Sequence, residues 1–282
     1  MHPLILSLIA LIAAPLAGAV AVGLDRKITA RFQSRYGPPL TQPVYDVIKL
    51  FGKRIQSVNR WPPFFAMLYL FGSAASVVWL VAGGNLLVVF FLSTLTVTFL
   101  IMGALAAVSP YSRMGAGREL IVALIYEPML LAVFMGIYHV SGSFQLDALR
   151  GHSRPLLFEL PVGYLTLFMV FLIKMHKSPF DFSFAHHAHQ ELVQGLLTEY
   201  SGPFLAVVEI GRWYETALLL LLFSLFWHTG AWGAVALAAL TYLAAVLLDN
   251  LVPRLTWRWT LRTVWIPGLI LVFANLAWIC WI

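Results

Sequence analysis

Ionisable residues placed where a membrane would leave them poorly solvated are the ones in this chain best able to do chemistry. Glu209, Arg212 and Glu215 recur every third residue inside the apolar run 204–227, and Glu127 interrupts the apolar run 119–141. On a helix turning about 100° per residue, the two carboxylates of the first group fall about 60° to either side of Arg212, so both are within its reach and one negative charge is left over. An ionisable side chain at the centre of a membrane helix costs about 2.5–3.5 kcal/mol, which makes proton or ion handling the leading explanation. The competing one is polar glue between helices, and it applies less to Glu127, which has no evident local partner. A further polar knot, Pro179–Gly202, holds Asp181, Glu191, Glu199 and the histidines His186, His187 and His189. Imidazoles suit a proton relay near neutral pH, a hydrogen-bonded interface or metal ligation. Metal ligation is the weakest of these, since adjacent residues converge poorly on one ion and no His-Glu-x-x-His occurs; no metal ligands are assigned.

The elements that must position these groups follow from composition. With 61% hydrophobic and 11% charged residues and a mean hydropathy of +0.85, the chain reads as an all-α, polytopic integral membrane protein. Apolar runs at 3–23, 63–82, 86–108, 119–141, 161–176, 204–227, 231–249 and 264–282 predict about eight spans in a single transmembrane domain covering 1–282. The run 161–176 is short, which suits a tilted or partly re-entrant segment. The first run is not a secretory signal, because Arg26 and Lys27 follow it where a signal peptide carries its charge in front. Pro179 breaks any helix arriving from 161–175. From Gln190 the spacing predicts a short amphipathic helix ending near Ser201-Gly202-Pro203, with Glu191 and Glu199 about 12 Å apart along it. Asp249 reads as interfacial, His152 and His228 as peripheral, and Trp278 with its neighbouring tryptophans as an interfacial belt.

Alternating loops, with Lys174 counted in the loop 174–202, place fifteen of the eighteen Lys/Arg on one side. By the positive-inside rule that side is cytoplasmic, and both termini face away from it. The docking loops are then about 24–62, 109–118, 177–203 and 250–263, a basic face suited to anionic lipids and acidic protein partners. Nothing resembles a nucleic-acid recognition module. In the first loop, Arg26, Lys27, Arg31 and Arg35 run beside Ile28 and Phe32 as a helix along the membrane surface, ended by Gly37-Pro38-Pro39. A second amphipathic piece carries Val44, Val47, Ile48 and Phe51, with Asp46 and Lys49 as an i,i+3 pair. Gly115-Ala116-Gly117-Arg118-Glu119 lacks the features of a phosphate loop and reads as a glycine-flexed start to a membrane helix. The lone Cys280 cannot hold an iron–sulfur cluster, so redox centres belong to other chains.

Several of these stretches together resemble one family. Asp25-Arg26-Lys27, Ala30, Gln33, Arg35, Gly37-Pro38, Gln42-Pro43, Asp46, Lys49-Leu50 and Lys53 look like the first cytoplasmic loop of NuoH, the respiratory complex I membrane subunit, and of its hydrogenase relatives. Arg118 with Glu127 in the following helix resembles the same family. So do Lys177, Pro179-Phe180-Asp181, Glu191-Leu192-Val193, Gly195, Thr198-Glu199-Tyr200 and Ser201-Gly202. Asp25 in place of the family's usual Glu, and a shortened segment between Pro38 and Gln42, are departures. Phe184-Ala-His-His-Ala-His189, with Glu119-Leu and Glu127-Pro128, is similar to the membrane subunit of Ech-type energy-converting [NiFe] hydrogenases.

The resemblance implies the anchor and ion-translocating subunit of an oxidoreductase complex. The chain itself would carry no redox centre, with [NiFe] and [4Fe–4S] centres held by partners. Those partners would be the hydrogenase large and small subunits, a ferredoxin-type iron–sulfur subunit and an antiporter-like membrane subunit, all at the cytoplasmic membrane. Electrons would pass from ferredoxin to protons, forming hydrogen. Poor solvation of the carboxylates, together with the resemblance, points to coupling through Glu119, Glu127, Asp181, Glu191, Glu199, Glu209, Arg212 and Glu215. Docking falls to Arg26, Lys27, Arg31, Arg35, Asp46, Lys49, His186, His187 and His189. The alternatives are a quinone-reducing complex I subunit and a stand-alone secondary transporter, for which the sequence offers no paired repeats.

Overall fold

The computed structural model describes residues 3–55, 59–150, 152, 154–178, 180, 195–253 and 257–281. They form helices α1 (Pro3–Phe32), α2 (Gln42–Phe51), α3 (Trp61–Val81), α4 (Leu86–Leu105), α5 (Pro110–Ser141), α6 (Leu146–Arg150) and α7 (Leu156–Glu159). After these come α8 (Pro161–Lys174), a 3-10 turn at Gly195–Leu197, α9 (Pro203–Leu225), α10 (Ala231–Leu251) and α11 (Trp257–Trp281). Proline opens α5, α8 and α9 and lies at the start of α2. Its fixed φ suits a first helical turn, where its missing N–H has no helical acceptor to serve.

The protein is an all-α, multi-pass membrane protein. Among the described residues, five helices are long and apolar enough to cross a bilayer: Ile5–Phe32, Trp61–Val81, Leu86–Leu105, Pro110–Ser141 and Ala231–Leu251. The other three expected spans fall short for identifiable reasons. At 14 residues α8 is about 21 Å long, less than the roughly 30 Å hydrocarbon thickness. In α11 the apolar part is confined to Trp265–Trp281. The third, α9, has the length but carries Glu209, Arg212 and Glu215 through its middle.

Two boundaries differ from expectation. Without a break, α1 runs on through the basic stretch to Phe32, and Gly37, at φ +71°, turns the chain toward α2. The start of α5 is at Pro110, so most of the loop expected at 109–118 is helical, and Gly115 to Glu119 form early turns of the helix, in keeping with a glycine-flexed start. A Cβ at Gly115 would lie 2.7 Å from the backbone of Gly195 and Leu196, so glycine here serves close packing.

The chain divides into two compact units. The first is Met1–Val78, Leu92–Ile121 and Asp181–Ala217; the second is Trp79–Phe91, Val122–Phe180 and Leu218–Ile282. In the first unit, Ala66 and Tyr69 of α3 pack with Val97, Leu100 and Ile101 of α4 and with Leu196, Leu197 and Val208. A neighbouring cluster joins Val47 of α2 to Ala19 of α1 and to Ala206 and Trp213 of α9. In the second unit an aromatic core forms where Phe171 and Tyr164 of α8 meet Phe223 edge-on and Phe171 meets Tyr242 of α10. The Tyr164 hydroxyl bonds that of Thr241 at 2.7 Å, satisfying both within this apolar setting.

Candidate functional site: charged groups inside the helix packing

In the first unit the predicted trio on α9 is present, but its members are held differently. Arg212 donates to Glu209 at 3.2 Å, one helical turn away. Glu215 accepts a 2.8 Å hydrogen bond from the phenol of Tyr69 on α3. Tyr69 lies within electrostatic reach of all three charged groups. It is a residue that sequence reasoning missed, since a lone tyrosine in an apolar run gives no periodic signal. Glu119 is buried in α5 at 5% exposure. Glu199, expected on a helix, lies in a turn just after the 3-10 turn at Gly195–Leu197, half-buried. Next to it Tyr200 is buried, and burial pushes its phenol well above the ordinary range, so the hydroxyl stays protonated.

In the second unit Glu127 is half-buried on α5, within electrostatic reach of a cation that the sequence did not reveal. The charge of Lys174, the last residue of α8, acts on the Glu127 carboxyl. Lys174 is only 8% exposed, and its ammonium stands 5.4 Å from the ring centroid of Tyr126, within cation–π range. Counted by sequence among the loop charges, Lys174 is instead an interior cation. Pro128, immediately after Glu127, lies inside α5 and lacks the N–H that would bond the Leu124 carbonyl.

Two further polar centres in this unit, which the sequence marks as peripheral or interfacial, are internally bonded. Asp249 at the end of α10 accepts from Lys177 Nζ at 3.1 Å and from the Ser178 backbone N–H at 2.8 Å, tying down the chain that leaves α8. The His152 ring contacts both Glu159 oxygens at 3.0 and 2.9 Å, while the His228 ring bonds the His152 carbonyl. Trp278, assigned by sequence to an interfacial belt, donates its indole N–H to the Glu159 carbonyl.

In the basic first loop an ion pair joins α1 to α2. Arg26 on α1 meets Asp46 on α2 at 2.6 Å, and Gln42 donates to the other Asp46 oxygen at 3.0 Å. Partial desolvation pushes the Asp46 carboxyl up. The hydrogen bonds from Arg26 and Gln42, with the charges of Arg26 and Lys49, outweigh it and hold the group below its ordinary value. Lys27, Arg31, Arg35 and Lys49 are exposed, and Arg31 leans over the Tyr36 ring. Asp181, Glu191, His186, His187 and His189 lie outside the described residues, as does the start of the helix expected from Gln190. Among the described residues no group of three His, Cys, Asp or Glu is placed to hold a metal ion, and Cys280 is a free, exposed thiol.

Fold and site together define a class: a polytopic helical membrane protein that keeps paired charges inside its helix packing. Residues 5–280 match the family described as NADH dehydrogenase. The chain belongs to that family, the membrane subunits related to complex I NuoH and to their Ech-type hydrogenase counterparts. Hydrogenase-4 component C of Escherichia coli is 28% identical, covering 92% of this chain and 90% of that protein. An NADH-quinone oxidoreductase subunit of Syntrophotalea carbinolica is 26% identical, covering 93% and 92%. Formate hydrogenlyase subunit 4 of Escherichia coli is 29% identical over 79% of this chain and 76% of its own length. The same fold occurs in a chain of the membrane-bound sulfane sulfur reductase, an archaeal respiratory membrane complex, with a TM-score of 0.83 at 23% identity over 98% of each chain.

Proposed function

We propose that this chain is the membrane anchor and ion-translocation subunit of a multi-subunit energy-converting [NiFe] hydrogenase, coupling electron transfer in its partners to proton or sodium movement. The observation that carries the reading is the set of carboxylates in the helices, Glu127 under the charge of Lys174, and Glu209 bonded to Arg212 beside Glu215 and Tyr69. Each is a costly placement in a membrane, and each combines groups whose proton affinity responds to a nearby change in charge. Glu119, Asp181, Glu191 and Glu199 complete the proposed route from the basic face inward. The relatives named for hydrogenase-4 and formate hydrogenlyase support the hydrogenase branch, as does the Phe184–His189 segment.

In this reading the chain has about eight spans, with α8, α9 and α11 crossing inside the assembly, and both termini face away from the cytoplasm. Arg26, Lys27, Arg31, Arg35, Asp46 and Lys49, with His186, His187 and His189, meet the hydrogenase large and small subunits and a ferredoxin-type iron–sulfur subunit. These partners hold the [NiFe] and [4Fe–4S] centres, and an antiporter-like subunit continues the membrane arm. A second reading, a quinone-reducing complex I subunit, is favoured by relatives named as NADH-quinone oxidoreductase subunits, which are 26% and 29% identical over most of the chain. Gentle purification separates the two. Co-purification of a nickel-containing subunit supports the hydrogenase, and a bound quinone without nickel overturns it in favour of the second reading.

A further inference from the structure

Arg212 brings one positive charge to a helix that carries two carboxylates, Glu209 and Glu215. Counted along α9 alone, carboxylates outnumber cations by one. The guanidinium donates to Glu209 at 3.2 Å, one turn away. Glu215 is met from another helix: Tyr69 donates its phenol proton to Glu215 Oε2 at 2.8 Å. Tyr69 is 1% exposed, so bulk water does not compete for this bond. The contact is built into the packing. A Cβ at Gly211 would collide with Tyr69 Cε1, which means the ring lies against bare backbone beside Arg212. A larger residue at 211 could not let the phenol reach Glu215 without displacing α3.

A phenol suits a carboxyl group that changes protonation. It donates to the carboxylate when Glu215 is ionised, and when Glu215 is protonated it still donates to the carbonyl oxygen or accepts from the acid O–H. The bond therefore survives both states and keeps the carboxyl in one place, while Glu209 keeps its bond to Arg212.

We propose that Tyr69 is a positioning residue for ion coupling, fixing Glu215 as the carboxylate of α9 that takes up and releases the proton. The inference rests on the coupling role proposed above and names the member of the trio that acts. In the step itself, one proton binds Glu215 and later leaves it; no bond to Tyr69 is broken.

The test uses the assembled complex in sealed vesicles, with dye-linked redox turnover in the partner chains reporting assembly. Tyr69→Phe, Glu215→Gln, Glu209→Gln and the double variant Tyr69→Phe/Glu215→Gln are compared for ions moved per electron, together with infrared difference spectra of the carboxyl C=O stretch. Losing a hydrogen bond to a charged group should reduce ion-coupled turnover in Tyr69→Phe by about tenfold or more. The double variant should be no worse than Glu215→Gln. The C=O band that disappears in Glu215→Gln should persist at a shifted frequency in Tyr69→Phe and be unmoved in Glu209→Gln. Should Tyr69→Phe fail to assemble, a fluorotyrosine at position 69 keeps the ring volume and strengthens the donor, and should shift the same band the opposite way. An unmoved band, or a wild-type ratio of ions to electrons in Tyr69→Phe while Glu215→Gln has lost it, overturns this inference and leaves the coupling role standing. Wild-type ratios in Glu215→Gln and Glu127→Gln alike overturn the coupling role, and this inference with it.

Discussion

Removing either member of the Glu127–Lys174 pair should have unequal consequences. Lys174 is 8% exposed, so Lys174→Met leaves the Glu127 carboxyl without the cation that acts on it. Breaking a contacting, fully buried pair from one side costs about 3–5 kcal/mol; Glu127 is half-buried and feels Lys174 only through its charge, so the loss should be smaller, about 1–2 kcal/mol. Glu127→Gln should cost less, about 1 kcal/mol, because Lys174 keeps the face of Tyr126, a contact of about 0.5–2 kcal/mol. The double variant Glu127→Gln/Lys174→Met, which leaves no charge, should be more stable than Lys174→Met alone. Unfolding of the purified complex in graded denaturing detergent measures the order. Function adds a second readout in sealed vesicles. Each single variant should keep dye-linked redox turnover in the partner chains while losing most ion transport driven by the natural electron carrier. If Lys174→Met is no less stable than Glu127→Gln and both transport ions at the wild-type ratio, the pair is ordinary helix packing and the proposed route is wrong.

The other predictions are simpler to test. Topology can be read with Cys280 replaced by Ser: a cysteine at exposed Tyr111 should label only from the cytoplasmic side and one at exposed Gln145 only from outside, and the reverse would invert the proposed orientation. Ser112, although nearby, is fully buried and unsuited to labelling. Arg35→Glu should release partner subunits with the membrane chain still inserted, whereas Arg26→Glu should also loosen α2 because it breaks the bond to Asp46. Full assembly and activity of Arg35→Glu would show that the basic loop serves lipids only. The Asp46 carboxyl is held below its ordinary value of 3.8, so its contribution is complete above that pH and is lost as the pH falls through the depressed value. The pair is exposed to solvent and contributes at most about 1 kcal/mol. Hydrogen exchange in α2 should therefore rise modestly below the ordinary carboxylate range, and Asp46→Asn should show the same rise at neutral pH. A rise in the wild-type chain at higher pH would implicate another group.

Membrane class, the approximate position of every long apolar helix, and the charged trio on α9 were legible in the sequence, because each depends on neighbours within one or a few helical turns. Where an apolar run continues into charged but helix-forming residues, as from α1 into Arg26–Phe32, or begins with a proline that suits a first turn, as at Pro110, the run marked the span and not the helix ends. What only tertiary structure decided is the partner of each interior charge. Glu215 takes Tyr69 from 146 residues away, Asp249 takes Lys177 across 72 residues, and Glu127 comes under the charge of Lys174 at the end of the short helix α8. No periodicity encodes such pairings. A buried polar group accepts whatever complementary group the packing of distant helices brings within reach, and the cost of leaving it unmet in an apolar interior is what holds those helices in register.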